Sequence, residues 1–454
     1  MKIGIIGAGP AGYVSALTAK KYGAEVYLFE KEEIGGTCLH KGCIPTKTLI
    51  HSLELYDKIK RAKEFGVDGE FSPSVNLKTL FERKNKVIEI QKRGLQNLLK
   101  ESKVKVISDE AELISPKTVI LKQTREKIEL DKVVLATGSR PAELAYLRFD
   151  GEKILSSDDL WKLKEIPTSI IIVGAGAIGC EFAWIFHLLG SKTTLIELMP
   201  KVLPMEDEEV SSAVERLFRK RKIDFFTGVK IEDLIYEEDS LKIVLTNGKI
   251  LTADCILVSV GRAFNTESIS SSGVLIGNRG EVLVDETMRT NVEDVYAVGD
   301  VNGKWLLAHV AYKEAEVAVK NIFGYNEKMD YNSIPLTIYT VTEVASVGLK
   351  EKEAIQKRVK IKKGFFPFRA NAKAHAIGEI DGFLKVLLDE DTGTLVGAHV
   401  VGPKASELIH EVSVAIKLKL KAKDIKDLIY SHPTLSECVG ETIKDLFGEA
   451  IHKL

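Results

Sequence analysis

The chain has 454 residues, a formal net charge of −1, 45% hydrophobic and 28% charged residues. That length needs more than one hydrophobic core, and so even a charge balance supports neither a nucleic-acid partner nor a membrane-surface role. No apolar run approaches the roughly 20 residues of a bilayer span, and five cysteines without histidine at ligand spacing fit neither a secreted disulfide scaffold nor a metal site. The first strand begins at Lys2-Ile3, leaving no room for a leader, so a cytoplasmic location is expected.

Lys2-Ile3-Gly4-Ile5-Ile6 reads as a buried strand running into Gly7-Ala8-Gly9-Pro10-Ala11-Gly12, an Ala-rich helix and a second strand, Glu25–Glu30. A G-x-G-x-x-G loop between strand and helix is a dinucleotide fingerprint in its proper setting. Gly7 makes the turn, Gly9 lets backbone approach a pyrophosphate, and Gly12 lets helix and strand pack closely. The unpaired N–H groups of the helix start favour the phosphates, and Glu30 at the strand end is placed to accept ribose hydroxyls.

Next comes Gly35-Gly36-Thr37-Cys38-Leu39-His40-Lys41-Gly42-Cys43-Ile44-Pro45-Thr46-Lys47. Two cysteines five apart on a straight helix point in different directions, and a disulfide needs Cα atoms within roughly 7 Å. Bridging Cys38 to Cys43 therefore requires a distorted turn, which Gly42 makes cheap. A bridge held that way is readily reducible, as a redox disulfide must be. The spacing alone fits two buried thiols that never meet equally well. Cys180, Cys255 and Cys438 read as packing residues.

Residues 48–66 and 73–101 read as helices whose apolar positions serve packing. A strand then ends in Val133-Val134-Leu135-Ala136-Thr137-Gly138-Ser139, where backbone comes close to a ligand or simply turns. The first pattern recurs as strand Ser169–Val173, loop Gly174-Ala175-Gly176-Ala177-Ile178-Gly179, helix Cys180–Leu189 and strand Thr193–Glu197. Two such units imply two dinucleotides. Glu197 would accept both ribose hydroxyls and repel a 2′-phosphate, which favours NAD over NADP. This second domain is expected to close near Val258–Arg262.

Asn291–Asp300 is another strand, ending in Gly299-Asp300, where the acid either holds a polyol hydroxyl or caps a turn; Leu306-Leu307-Ala308-His309 opens the next helix. From about 331 the composition changes, and strands around 337–348, 376–389 and 394–402 with a helix at 405–419 suggest an antiparallel sheet covered by helices. Near the end, Tyr430-Ser431-His432-Pro433-Thr434-Leu435-Ser436-Glu437 offers a histidine oriented by a carboxylate, a general-base pair, or else a surface turn that caps a helix.

With these motifs in this order over its whole length, the chain resembles the flavin-dependent pyridine nucleotide–disulfide oxidoreductases. The resemblance implies an α/β protein with two Rossmann-like dinucleotide-binding domains, one inserted in the other, plus an α+β interface domain with an antiparallel sheet. The expected boundaries are 1–145 and 266–330 for the first domain, 146–265 for the second and 331–454 for the interface. It implies FAD held by Gly7, Gly9, Gly12, Glu30, Gly36, Thr37, Lys47, Ala111, Gly138, Asp300 and Ala308. NAD would be held by Gly174, Gly176, Gly179, Glu197, Ile231 and Gly261. Cys38–Cys43 would be the redox disulfide, with Cys38 as exchange thiol and Cys43 against the flavin. Lys47 would pair with Glu181, and Lys47, with Lys41 as a second source of charge, would lower the thiol pKa.

The likeness further implies a homodimer in which His432 and Glu437 act on the partner subunit's cysteines. The implied reaction is reoxidation of dihydrolipoamide on a lipoyl-bearing protein, of a 2-oxoacid dehydrogenase complex or a glycine-cleavage system, with hydride passing to NAD⁺. Another NAD(P)H-dependent disulfide reductase and a non-catalytic redox sensor are the alternatives. His40 and Lys41 between the cysteines, Tyr339–Glu343 and Arg262–Asn265 depart from the common pattern.

Overall fold

A computed structural model describes residues 1–70, 72–238, 240–269 and 271–453. The chain forms two compact units, one of 1–148, 156–165 and 261–329, the other of 149–155, 166–260 and 330–454.

In the first unit, strand β1 (Lys2–Ile6) lies between β2 (Glu25–Glu30) and Lys132–Leu135, with Lys105–Ser108 and Val295–Ala297 at the edges; all four pairings are parallel. Ile3, Ile5, Val26, Leu28, Val133 and Val134 are wholly buried, the run of apolar residues that a sheet covered on both faces requires. Helix α1 (Pro10–Lys21) connects β1 to β2. Helices α2 (Gly36–His40), α3 (Cys43–Lys60) and α4 (Leu77–Glu101) follow β2. The α4 helix starts later than its periodicity suggests because the Asn76 side chain accepts the Thr79 N–H at 3.0 Å and sets its N-terminus. The α3 helix starts five residues earlier than expected, with Pro45 in its first turn, where a missing N–H costs nothing. An antiparallel sheet of Ala111–Ser115, Thr118–Leu121 and Lys127–Glu129 closes the core through Leu113 and Val119, which join Ile6, Phe29, Val133 and Leu135.

In the second unit, Ser169–Val173 lies between Lys192–Glu197 and Cys255–Val258 in another parallel sheet, joined at its edges by Asp224–Thr227 and Ile154–Leu155. The unit also holds a five-stranded antiparallel sheet ordered Leu336–Tyr339, Glu343–Gly348, Leu395–Gly402, Phe383–Asp389, Ile361–Pro367. The strand expected over 376–389 begins only at Phe383, because Asn371 caps a short helix, Ala372–Ala376. Ile361–Pro367 escapes the apolar pattern: it is an edge strand carrying Lys362, Lys363 and Pro367, residues that blunt an edge. Helices Ala405–Lys417 and Glu437–Asp445 bury Leu408, Ile409, Val412, Val439 and Ile443 against this sheet. Lys385, 1% exposed on its central region, meets Glu351 at 2.8 Å, Glu209 at 3.1 Å and Asp207, which N-caps helix Glu208–Lys220. Among the described residues no helix is long and apolar enough to cross a membrane.

Candidate active site

The first glycine loop follows from contact distances. A Cβ on Gly12 would sit 1.8 Å from the Gly7 carbonyl oxygen, so no larger residue lets α1 pack on β1. Glu30 turns back under the loop: its Oε2 accepts the Ala8 N–H at 2.7 Å and its Oε1 the Glu32 N–H at 2.9 Å, leaving further lone pairs for a ribose. No side chain caps the α1 N-terminus at Gly9, so its first-turn N–H groups are available to a pyrophosphate. Gly35 N–H donates to the Ala8 carbonyl at 2.9 Å and draws the chain back over the loop. There Gly36 takes φ +57°, and a Cβ on it would lie 2.7 Å from Gly9 Cα.

From this anchor the chain makes the cysteine hairpin. Cys38 lies in α2, Lys41 N–H closes that helix on the Thr37 carbonyl at 2.8 Å, and Cys43 is the first residue of α3. Gly42 keeps φ at −122°; it is needed for room, since its Cβ would stand 3.1 Å from Thr37 O, rather than for a left-handed backbone. Cys38 and Cys43 are half-buried free thiols whose side chains are hydrogen-bonded to each other. The expectation of a lowered thiol pKa is corrected for Cys38. The hydrogen bond with Cys43 and then burial push its thiol well above the ordinary range, and the Lys47 ammonium opposes them without winning.

Lys41 is spoken for by carboxylates, Glu32 at 2.8 Å and Asp158 at 3.9 Å, so its charge is balanced away from the sulfurs. His40 Nε2 meets the Ile34 carbonyl at 2.8 Å, and Trp161 Nε1–H donates to the Lys41 carbonyl at 3.0 Å, which clamps the hairpin from outside.

Asp300 stands at the end of strand Val295–Ala297, where it accepts the Ser139 hydroxyl at 2.5 Å beside Arg262 Nε at 3.7 Å. Arg262 Nε–H also donates to Ser139 Oγ at 2.6 Å. Buried Glu314 fixes this corner by accepting the Gly299 N–H at 2.7 Å and the Asn302 amide at 2.8 Å. Nothing lies within 4 Å of a Cβ built on Gly138 or Gly261, which keeps backbone open to a ligand. The loop, the hairpin and Asp300 thus gather at the carboxyl ends of the parallel strands, where such sheets bind ligands. Ala308 opens helix Ala308–Ile322. Ala111 begins a strand of the separate antiparallel sheet and is buried. This donor set fits a dinucleotide flavin: open N–H groups for phosphate, Glu30 for a ribose, Asp300 for a polyol.

The second unit repeats the loop. A Cβ on Gly179 would meet the Gly174 oxygen at 1.9 Å, nothing lies near one on Gly176, and Glu197 accepts the Ala175 N–H at 2.7 Å and the Met199 N–H at 2.8 Å. Ile231 begins strand Ile231–Tyr236, half-buried. Glu181 is buried on helix Ala177–Leu189 and its Oε1 accepts the Tyr339 N–H at 3.2 Å. His432 Nδ1 meets Glu437 Oε1 at 2.9 Å, and Glu437 Oε2 accepts the Thr434 N–H at 2.8 Å. Burial would raise the Glu437 carboxyl, but the Thr434 N–H and His432 outweigh it and hold it below the ordinary range. A carboxylate so fixed holds the ring by Nδ1 and leaves Nε2, on a side chain 71% exposed, for a substrate proton.

Sequence reasoning missed the Ser139–Arg262 support of Asp300, the Trp161 clamp and a hydrogen-bonded phenol pair, Tyr13 Oη–H donating to Tyr312 Oη at 2.9 Å. Except for Arg262 and Asp300, these partners lie more than 100 positions apart, so no local pattern joins them.

Residues 1–315 match the family model for pyridine nucleotide-disulphide oxidoreductases, and residues 334–443 match that family's dimerisation domain. The chain is 40% identical over 443 residues to a dihydrolipoyl dehydrogenase of Chlamydia trachomatis, covering 96% of this chain and 95% of that protein. It is 38% identical to a dihydrolipoyl dehydrogenase of Bacillus subtilis, covering 99% and 98%. Among solved structures, LpdA from Mycobacterium tuberculosis superposes with TM-score 0.91 at 28% identity, covering 98% of this chain and 99% of that one. The flavoprotein disulfide reductase RclA from Escherichia coli superposes with TM-score 0.86 at 26% identity, covering 99% of each. Two nucleotide loops, a dithiol seated on the first and matches spanning nearly the whole length lead to one conclusion: the chain belongs to the pyridine nucleotide–disulphide oxidoreductase family.

Proposed function

We propose that this enzyme reoxidises dihydrolipoamide carried on a lipoyl-bearing protein and reduces NAD⁺, using FAD. The observation that carries the reading is the pair of thiols, Cys38 and Cys43, in hydrogen-bonded contact within a hairpin anchored on the first nucleotide loop. The first unit would hold FAD through Gly7, Gly9, Gly12, Glu30, Gly36, Thr37, Lys47, Ala111, Gly138, Asp300 and Ala308. The second loop, with Glu197, Ile231 and Gly261, would hold NAD. When bound, the flavin supplies the two-electron chemistry that joins thiol oxidation to nicotinamide reduction.

The chain's own residues then do the thiol chemistry. His432, oriented by Glu437, takes a proton from the incoming dithiol. In the oxidised form of the pair, where Cys38 and Cys43 are joined as a disulfide, the resulting thiolate bonds to Cys38, the Cys38–Cys43 bond breaks, and Cys43 leaves with the electron pair. The second substrate sulfur, as a thiolate, attacks the first and expels Cys38. Lipoamide is thereby oxidised and the enzyme dithiol formed. Lys47, which favours the ionised sulfur, acts from within α3, with Glu181 proposed as its partner. The dimerisation-domain match supports a homodimer; in it the dyad would serve the partner subunit's cysteines, and a cytoplasmic site of action goes with this reading. The four-part division at 145, 265 and 330 is proposed with it.

Cys43→Ser tests the scheme. Reduction of NAD⁺ by dihydrolipoamide should fall by at least about 10³-fold, as for loss of an activated sulfur nucleophile; a normal rate would overturn it.

A further inference from the structure

The segment between the two cysteines is held from outside. Lys41 N–H donates to the Thr37 carbonyl at 2.8 Å and the Lys41 carbonyl accepts the Trp161 Nε1–H at 3.0 Å, so the peptide groups on both sides of Lys41 are fixed. Its side chain is held by Glu32 at 2.8 Å and Asp158 at 3.9 Å, and His40 Nε2 meets the Ile34 carbonyl at 2.8 Å. Gly42, which turns the chain into α3 and brings Cys43 back to Cys38, follows directly on the peptide that Trp161 holds.

Behind Trp161 stands Lys84, on α4. It is 5% exposed, and among the described residues no carboxylate lies within ion-pair distance of it. Its Nζ stands instead 5.3 Å from the centre of the Trp161 ring and 5.2 Å from that of Phe81. Burial pulls its pKa below the ordinary range, while the ring faces, which carry negative charge, favour the ammonium. A buried ammonium without a carboxylate is costly where leucine or methionine would fill the space, so packing alone does not account for a lysine there. A cation over an indole face draws electron density from the ring and makes its N–H a stronger donor. That N–H is the one bound to the Lys41 carbonyl.

We infer that Trp161 and Lys84 form a brace that sets the reduction potential of the Cys38–Cys43 pair, Trp161 as the positioning residue that holds the hairpin closed and Lys84 acting through Trp161. The inference rests on the redox disulfide proposed above. Oxidation of the pair closes a ring: each thiol loses its proton, the S–S bond forms and two electrons leave. The more firmly the hairpin holds the two thiols together, the less freedom ring closure removes. Loosening the hairpin therefore disfavours the disulfide and makes the pair easier to reduce.

The test is the equilibrium of the flavin-loaded enzyme with mixtures of reduced and oxidised dithiothreitol. There the reagent's S–S bond breaks as that of Cys38–Cys43 forms, and the reagent takes up the two electrons and two protons. Alkylation of the remaining thiols, read by peptide mass, gives the fraction of disulfide. Trp161→Phe keeps an aromatic ring and loses the N–H; the equilibrium should move about tenfold toward the dithiol, a potential about 30 mV more positive. Lys84→Met keeps the apolar stem and should move it about threefold the same way, whereas Lys84→Arg keeps the cation and should stay within about twofold of wild type. Retained flavin absorbance shows that each variant folded; should Lys84→Met lose its flavin, Trp161→Phe decides. A potential for Trp161→Phe equal to wild type, or more negative, overturns the inference, and a shift in Lys84→Arg as large as in Lys84→Met overturns the part given to the cation. No lipoamide enters the titration. A wild-type pair that never closes to a disulfide would sink the proposed function as well, whereas a pair that closes at one potential in every variant sinks the brace alone.

Discussion

The two nucleotide loops are built alike and used differently. In each, the third glycine packs against the first glycine's carbonyl with no room for a side chain, at 1.8 Å for Gly12 and 1.9 Å for Gly179. In each, the terminal acid accepts the N–H after the first glycine at 2.7 Å, and that residue's carbonyl takes an N–H from the returning chain: Gly35 to Ala8 at 2.9 Å, Leu203 to Ala175 at 2.8 Å. What returns is the difference. After Gly35 comes the cysteine hairpin, with Gly36 pressed on Gly9. After Leu203 comes Glu206-Asp207, which enters the ionic cluster of Lys385, Glu351 and His399, while nothing covers Gly176. One loop is closed over by the chemistry of its own chain, as suits a resident cofactor. The other is left open, as suits a nucleotide that comes and goes.

The sharpest way to break this comparison is to put the same side chain in both loops. Gly12→Val should cost bound flavin, with retention weakened by about 100-fold, since overpacking costs about 1–3 kcal/mol. Gly179→Val should keep the flavin and weaken NAD⁺ binding by a comparable factor. Flavin absorbance and NAD⁺ titration separate them, and loss of flavin from Gly179→Val would show that the loops are not independent. Gly36→Ala is gentler: a left-handed residue at φ +57° costs about 1–2 kcal/mol and the methyl meets Gly9. Flavin retention should drop about tenfold, whereas Gly176→Ala, in open space, should leave it unchanged.

A pH-dependent effect concerns the cluster behind the second loop. Burial raises the Glu206 carboxyl from 4.5 to about 7, so the folded chain binds that proton more tightly than the unfolded one. The resulting stability is complete below about 4.5 and is lost as pH rises through about 7. Burial lowers the His399 imidazole from 6.5 to about 4, so its contribution is complete above 6.5 and is lost as pH falls through about 4. Glu206→Gln removes the first loss only. Thermal unfolding at pH 8 should show it more stable than wild type by about 1–3 kcal/mol, with the gain vanishing near pH 5. A gain equal at both pH values would assign the effect to packing instead.

The sequence by itself determined both strand–loop–helix–strand units, because their glycines, apolar strands and terminal acids are local and adjacent in the chain. The cysteine pair and the His432–Glu437 pair, whose members stand five residues apart, were visible in the chain, but their spacing alone left each open between a chemical and a structural reading. Tertiary structure decided whatever depends on distant partners. It placed Lys41 on Glu32 and Asp158; it raised Cys38 through its hydrogen bond with Cys43 and then burial, where the Lys47 charge alone argued for lowering. It also set Ser139 and Arg262 on Asp300, and Tyr13 on Tyr312, nearly 300 residues along the chain. Local pattern encodes which atoms can bond. Burial and the charge balance at each group arise only when distant segments are brought into contact.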